Sequence, residues 1–453
     1  MKRLLFTLLM LVHTHALFAG NDTTRPNIII IYADDLGYGD LSSYGSEIPT
    51  PNIDRIGKSG IRFTDFYAAA PVCSPSRYSL LTGGYPQRSK HHLNTALMPN
   101  DESYLDTTEI TLANYLRAKH YQTALIGKWH LGEKGGAKMP TAHGFDVFTG
   151  FRGGCIDYFT HSYGGLEQDW YVNNQPVKEK GYATDLITQY ALSYIGKQKN
   201  RHPQQPFFLM IGYNAPHYGK TAPDSITGYT LSLGKNTYGE QEMLNTLQVP
   251  AQYLQQFSFI KDAYRRAYAA MVSNLDDNVG LLLQKLAKEK LLQNTIIWFM
   301  SDNGGYAVSH HGHASNGRLR GEKGALLEGG IRVPALVMWP QRIKKGQVIH
   351  TPVSNLDVLP TIGALTRFTP VLPTDGKDIR NILFQQPVEE RDLYWQYGQQ
   401  TAVRRGNWKL VNNHELYNLS TDPGESDNVA VQYPEKVKEL QAAYEKEMER
   451  VAQ

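Results

Sequence analysis

Four apolar runs, each closed by a polar cluster, constrain what this chain can fold into. Asn27 to Tyr32, with four consecutive isoleucines, leads into Asp34 and Asp35, and Gln122 to Ile126 leads into Lys128 and His130. Phe207 to Ile211 leads into Asn214 and His217, and Thr295 to Phe299 into Asp302 and Asn303. Runs rich in β-branched and aromatic residues fit strands buried on both faces. Between them lie helical patterns: Leu112 with Leu116, Tyr182 to Ile195, and Tyr264 to Leu286, where apolar residues recur every three or four positions. Helix, strand and polar cluster in repeated order predict an α/β layered domain with a mostly parallel sheet. In such sheets ligands gather beyond the carboxyl ends of the strands, where these polar residues would stand.

A further stretch carries its own chemistry. After a strand-like run from Ile61 to Ala68 come Val72, Cys73, Ser74, Pro75, Ser76 and Arg77, then one or two helical turns closed by Gly83 and Gly84. Cys73 is therefore expected at a helix N-terminus, where free amides favour an anion, with Arg77 one turn on and on the same side. Local sequence leaves three readings of this cysteine: a reactive group, a buried free thiol, or half of a disulfide with Cys155, the other cysteine of the chain. The adjacent Asp34 and Asp35 are likewise either a pair held by a counter-charge such as a metal or a solvated turn.

The order Cys73, any residue, Pro75, Ser76, Arg77 resembles the signature of the type I sulfatases, and further matches follow in order from Asp34 to Pro334. The resemblance implies an alkaline-phosphatase-like layered α/β domain with a large mixed, mostly parallel sheet, and a smaller C-terminal α+β domain with a short antiparallel sheet. It implies that a separate formylglycine-generating enzyme oxidises Cys73 to Cα-formylglycine, whose hydrate is the nucleophile. It also implies one calcium ion held by Asp34, Asp35, Asp302, Asn303 and residue 73. An all-oxygen set of carboxylates and an amide suits calcium before magnesium in its own right. By the same resemblance Lys128, His217 and Lys323 hold the substrate sulfate, and His217 protonates the leaving alcohol. Arg77 and His130 steady the hydrate, and His130 takes a proton as sulfate is expelled. Glu322 stands where the family pattern often has a small residue, so a closer subfamily does not carry over.

The implied activity is hydrolysis of sulfate esters, most simply on sulfated poly- or oligosaccharides. A phosphonate or phosphodiester hydrolase of the same superfamily, and a non-catalytic protein that binds sulfated glycans, are the alternatives. Trp129, Trp170, Tyr158 and Tyr171 are candidate sugar-facing aromatics, with a place in the core as the commoner role for such residues, and His310 and His311 are candidate outer contacts. The pair His311 and His313 lacks a third well-placed ligand for zinc. Gly150 to Gly181 and Tyr218 to Phe257 show little periodicity and read as insertions around the cleft.

Asn355 to Leu365 reads as a helix closing the main domain. Arg391 to Tyr397 and Thr401 to Leu419 read as short strands, and Tyr433 to Val451 as a charged amphipathic helix. Lys2 and Arg3, the apolar run Leu4 to Val12, and small residues near Ala19 and Gly20 resemble a secretory signal, too short for a membrane anchor. The expected organisation is a signal peptide over 1–20, a catalytic domain over 21–370 and a smaller domain over 371–453, exported to the periplasm or secreted. A net charge of +3 over 453 residues gives no general pull toward nucleic acid, and no later run suits stable membrane insertion.

Overall fold

The computed structural model describes residues 25–133, 135–372 and 374–452; the expected signal segment lies outside the described residues. Its centre is a ten-stranded sheet. The order is Gln347–Ile349, Ile61–Phe63, Ala335–Met338, Thr295–Ser301, Asn27–Ala33, Phe207–Gly212, Gln122–Lys128, Val147–Phe151, Tyr171–Val172 and Gln175–Pro176. From Thr295–Ser301 to Val147–Phe151 all neighbours are parallel. Ala335–Met338 is antiparallel to both its neighbours, as are the short strands at the far edge.

Alternation along each strand explains why the runs are continuously apolar. Ile29, Ile31 and Ala33 enter one core, while Ile28, Ile30 and Tyr32 enter the other. Helices Ala183–Arg201 and Ala263–Lys288 contribute to the first core, and Cys73–Thr82, Leu112–Ala118 and Val358–Thr366 to the second. Each buried isoleucine side chain contributes roughly 1.5–3 kcal/mol on either face, so polar groups are confined to the strand ends. Those ends are level: Ala33 pairs with Ser301, Tyr32 with Gly212, and Gly212 with Gly127.

The stretch read as an insertion from Tyr218 to Phe257 is instead largely a three-stranded antiparallel sheet of Gly219–Thr221, Tyr229–Tyr238 and Gln241–Val249. Its long first hairpin strand is mostly solvated, burying Leu233 alone, and a register shift falls between Ser232 and Gly234. A solvated, interrupted strand lacks the apolar alternation that announces a half-buried one. Gly150 to Gly181 is mostly irregular, and its two short strands extend the main sheet.

The C-terminal domain holds a four-stranded antiparallel sheet, Asp392–Tyr397, Gln400–Arg405, Trp408–Val411 and Glu415–Asn418. Val403, Leu410 and Leu416 pack under Leu440 and Tyr444 of helix Pro434–Ala452. Its other face, with Leu393, Trp395 and Ala402, packs on Tyr67, Leu326 and Ile331. The junction is also ionic. Buried Glu328 accepts from Lys409 at 3.0 Å and Arg332 at 3.1 Å, Lys409 meets Glu425 at 2.8 Å, and Asp65 pairs with both Arg332 and Arg404. Across it, Gln400 accepts from the Leu326 amide and donates to the Gly324 carbonyl, gripping the segment that carries Lys323.

Candidate active site

Cys73 opens the helix Cys73–Thr82, which stops at Gly83, where φ is +70° and the amide bonds to the Ser79 carbonyl. A side chain there would also meet Thr374 and Leu359, so both the left-handed turn and the packing call for glycine. Cys73 is buried and free, as is Cys155, so the disulfide reading is not realised. Ligand atoms of Asp34, Asp35, Cys73 and His217 all lie within 4.8 Å of one another.

Cations and carboxylates interlock around this point. Lys128 Nζ donates to Asp34 Oδ2 at 2.6 Å, and Arg77 donates to Asp302 Oδ2 and to the Lys128 carbonyl, both at 3.1 Å. Lys323 Nζ lies 2.8 Å from the Asp35 carboxylate and 3.1 Å from His217 Nε2. Asn303 donates to Asp35 Oδ1 at 2.7 Å, and the Asp35 amide donates to Asp302 Oδ1 at 3.1 Å. The level strand ends thus bring the residues of four separate segments into one buried group.

The electrostatics are strained in a way that suits a cation. Burial, then the neighbouring Asp34, pushes the Asp302 carboxyl up to about 7. Burial also opposes the charge on Asp35, but His217 and Lys323 outweigh it and hold that carboxyl well below its usual range. Asp34 Oδ1 and Asn303 Oδ1 are buried with no hydrogen-bond partner among the described residues. Crowded carboxylates with two unsatisfied acceptor oxygens fit a hard, oxygen-seeking cation such as calcium. Burial pushes the Cys73 thiol up to about 12.

The histidines differ in what they offer. His217 Nδ1 lies 2.7 Å from the Tyr218 carbonyl and so carries the proton, leaving Nε2 to face Lys323. His130 Nε2 lies 2.9 Å from the Leu97 carbonyl, leaving Nδ1 buried and without a hydrogen-bond partner among the described residues. The same Leu97 donates its amide to Ser74, tying His130 to the Cys73 helix. Burial holds both imidazoles well below their usual pKa; Lys128 adds to this for His130, while for His217 Asp35 pulls the other way.

His310 stacks on Tyr218, 5.4 Å between ring centres, beside Tyr306, over which Lys323 Nζ lies at 5.2 Å. His311 is not brought in: it is exposed and stacks on Tyr264, because a left-handed backbone turn at both histidines sends them different ways. Glu322 accepts from the amides of Val308 and Ser309, so its carboxylate fastens the His310 loop. The four aromatics that are candidates to face sugar take the alternative role in the core. Trp129 bonds to the Lys138 carbonyl, Trp170 to Glu179, and Tyr158 to the carbonyls of Asn214 and His217; Tyr171 is buried against Phe148. Tyr218, Tyr306 and Lys220 stand at the site without having been singled out; their signal was proximity to His217 and to Asn303.

Residues 26–368 match the family model described as Sulfatase, and residues 321–453 one described as N-sulphoglucosamine sulphohydrolase, C-terminal. The chain is 32% identical to arylsulfatase A of Bos taurus, over 92% of this chain and 86% of that protein. It is 30% identical to N-acetylgalactosamine-6-O-sulfatase of Bacteroides thetaiotaomicron, over 93% of each. Among solved structures it resembles Ps i-CgsB in complex with k-i-k-neocarrahexaose, with a TM-score of 0.80 and 32% identity over 95% of this chain and 93% of that one. With the family matched over most of its length and a buried group of the chemistry described, this chain belongs to the sulfatase family and is a sulfuric ester hydrolase.

Proposed function

We propose that this enzyme is exported and removes sulfate from sulfated poly- or oligosaccharides, using a formylglycine made from Cys73 by a maturation enzyme and one bound calcium ion. The observation that carries the reading is the meeting of Cys73 with Lys128, Lys323 and His217 around buried carboxylates. The relative named for N-acetylgalactosamine 6-O-sulfate and the neighbour bound to a neocarrahexaose support a carbohydrate substrate. Export rests on the signal-like residues from Lys2 to Gly20; among the described residues no helix is long and apolar enough to cross a membrane. We divide the chain at residue 370, between the catalytic and C-terminal domains.

Asp34, Asp35, Asp302, Asn303 and residue 73 would hold the ion, which when bound supplies positive charge that favours anionic oxygen. The hydrated aldehyde of residue 73 supplies the nucleophile. Lys128 and Lys323 place two ammonium groups where sulfate oxygens gather negative charge in the transition state. His217 protonates the leaving alcohol from Nε2 as the imidazolium, a form that the Asp35 carboxylate 3.3 Å from Nε2 favours, while Nδ1 keeps its own proton on the Tyr218 carbonyl. His130, with Nε2 committed to Leu97, keeps Nδ1 as the base that takes a proton as sulfate departs. Arg77 fixes Asp302 and the Lys128 backbone, and His310 is an outer contact to the sugar.

Two measurements test this. In protein co-produced with a formylglycine-generating enzyme, the peptide bearing residue 73 is expected to show the aldehyde mass, and the protein to release sulfate from sulfated galactose, galactosamine or glucosamine. Modified protein that hydrolyses phosphonate esters and no sulfated saccharide would transfer the assignment to that chemistry. Separately, metal-depleted protein is expected to gain roughly 3 °C in Tm at calcium a hundredfold above its Kd, a stabilisation of about 2.7 kcal/mol. An unchanged Tm would remove calcium from the site.

A further inference from the structure

Lys220 is a buried residue beside the site whose cation the chemistry above leaves unused. It sits in strand Gly219–Thr221, three residues beyond His217, and is 3% exposed. Lys128, Lys323, Arg77, Lys409 and Arg332, also buried or nearly so, each meet a carboxylate. No carboxylate among the described residues lies within ion-pair distance of Lys220. Its ammonium lies instead over the rings of Tyr218 and Tyr163, at 5.6 and 5.9 Å from their centres. The side chain is buried while the ammonium keeps some access to open space, and two ring faces supply only part of what an ion pair would.

Its surroundings place it between the candidate sulfate-binding group and a second cavity. Tyr218 packs against His217 with the rings tilted, 4.3 Å between centres, and stacks on His310, so Lys220 borders the proposed sulfate-binding group. Tyr163 lines a cavity of about 410 Å³ whose charged groups are Arg152 and the carboxylates of Glu133, Glu167 and Asp169, so an anion is favoured at Lys220 on the Tyr218 side and not within that cavity; the neighbouring Gly164 amide bonds to the Lys220 carbonyl. Burial draws the Lys220 pKa down, while the nearby Cys155 thiol opposes the shift. An anion brought by a ligand would supply the partner that the chain does not.

Resting on the carbohydrate reading above, we infer that Lys220 binds a second anionic group of the substrate, a sulfate or carboxylate beside the sulfate that is removed. The preferred substrate is then a saccharide with at least two negative charges on the same or adjoining sugar rings.

The test compares three saccharides as substrates and as competitive inhibitors of p-nitrophenyl sulfate hydrolysis. They are N-acetylgalactosamine 6-sulfate, its 4,6-disulfate, and a disaccharide joining a uronic acid to the 6-sulfate. The wild-type enzyme is expected to favour at least one doubly charged compound over the monosulfate by about 10-fold or more. Which one it favours identifies the second group as sulfate or carboxylate. Lys220→Met is expected to bring that ratio close to 1 through KM, and Lys220→Arg to retain most of it. Both should keep kcat/KM for p-nitrophenyl sulfate within about 3-fold, which also reports that each variant folds. An undiminished ratio in Lys220→Met, or equal losses on the singly and doubly charged compounds, would overturn the second site alone. Saccharides that neither react nor compete, in an enzyme active on p-nitrophenyl sulfate, would overturn the carbohydrate reading and this inference with it.

Discussion

Cys73→Ala is expected to abolish sulfate release, lowering kcat by about 10⁴-fold or more while leaving the fold intact. A residue that supplies the nucleophile is not replaced by its neighbours, and what remains after its loss is binding and electrostatic stabilisation. Cys73 is buried at the start of a helix whose stop depends on Gly83, and whose tie to His130 runs through Ser74 and Leu97. None of these contacts uses the sulfur, so the structural cost is that of one small buried group, about 1 kcal/mol. Circular dichroism and Tm should therefore stay close to wild type as turnover vanishes. A variant retaining more than a tenth of wild-type kcat would remove residue 73 from the chemistry altogether.

Lys323→Met is expected to cost about 10³-fold in kcat/KM. The ammonium meets both the Asp35 carboxylate and His217 Nε2, so its loss removes a positive charge from the developing sulfate and a neighbour from the proton donor. Its charge works to lower the pKa of His217 and of Asp35, so without it both rise. The residual activity should then hold to higher pH, because a protonated His217 survives further into the alkaline range. Lys323→Arg keeps the charge but replaces a point donor with a planar fork, and should recover only part of the loss. A pH profile that falls without shifting would show that Lys323 acts on the sulfate and not through His217.

Much of this site was legible because its residues are local to strand ends. Each polar pair directly follows an apolar run that could be nothing but a buried strand, and the parallel register of that sheet then brings Asp34, Lys128, His217 and Asp302 together. Cys73 was legible for a different reason, a short ordered signature joined to a glycine-stopped helix. What sequence reasoning missed depends on tertiary contacts. Trp129, Trp170 and Tyr158 are open between sugar platform and core by sequence, and the contacts decide for core, since each spends its polar atom on a core partner. Glu322 departs from the small residue the family pattern often has there, and only the tertiary contacts show why: its oxygens are taken by two loop amides. Tyr218 and Lys220 lay in a stretch whose solvated strand carries no periodic signal, so nothing local distinguished them from loop.

The charged junction beneath the Lys323 segment bears on how such a chain can be inherited. Glu328, Arg332 and Asp65 come from one side, Lys409, Arg404 and Glu425 from the other, and Glu328 and Lys409 are fully buried. Losing either side would strand the remainder, at about 3–5 kcal/mol for a buried charge left without its partner. Recombination that exchanged the C-terminal unit alone would therefore succeed only with a donor carrying the same charges in the same places. The two units are constrained to pass down a lineage together, even though the residues proposed to bind sulfate all belong to the first.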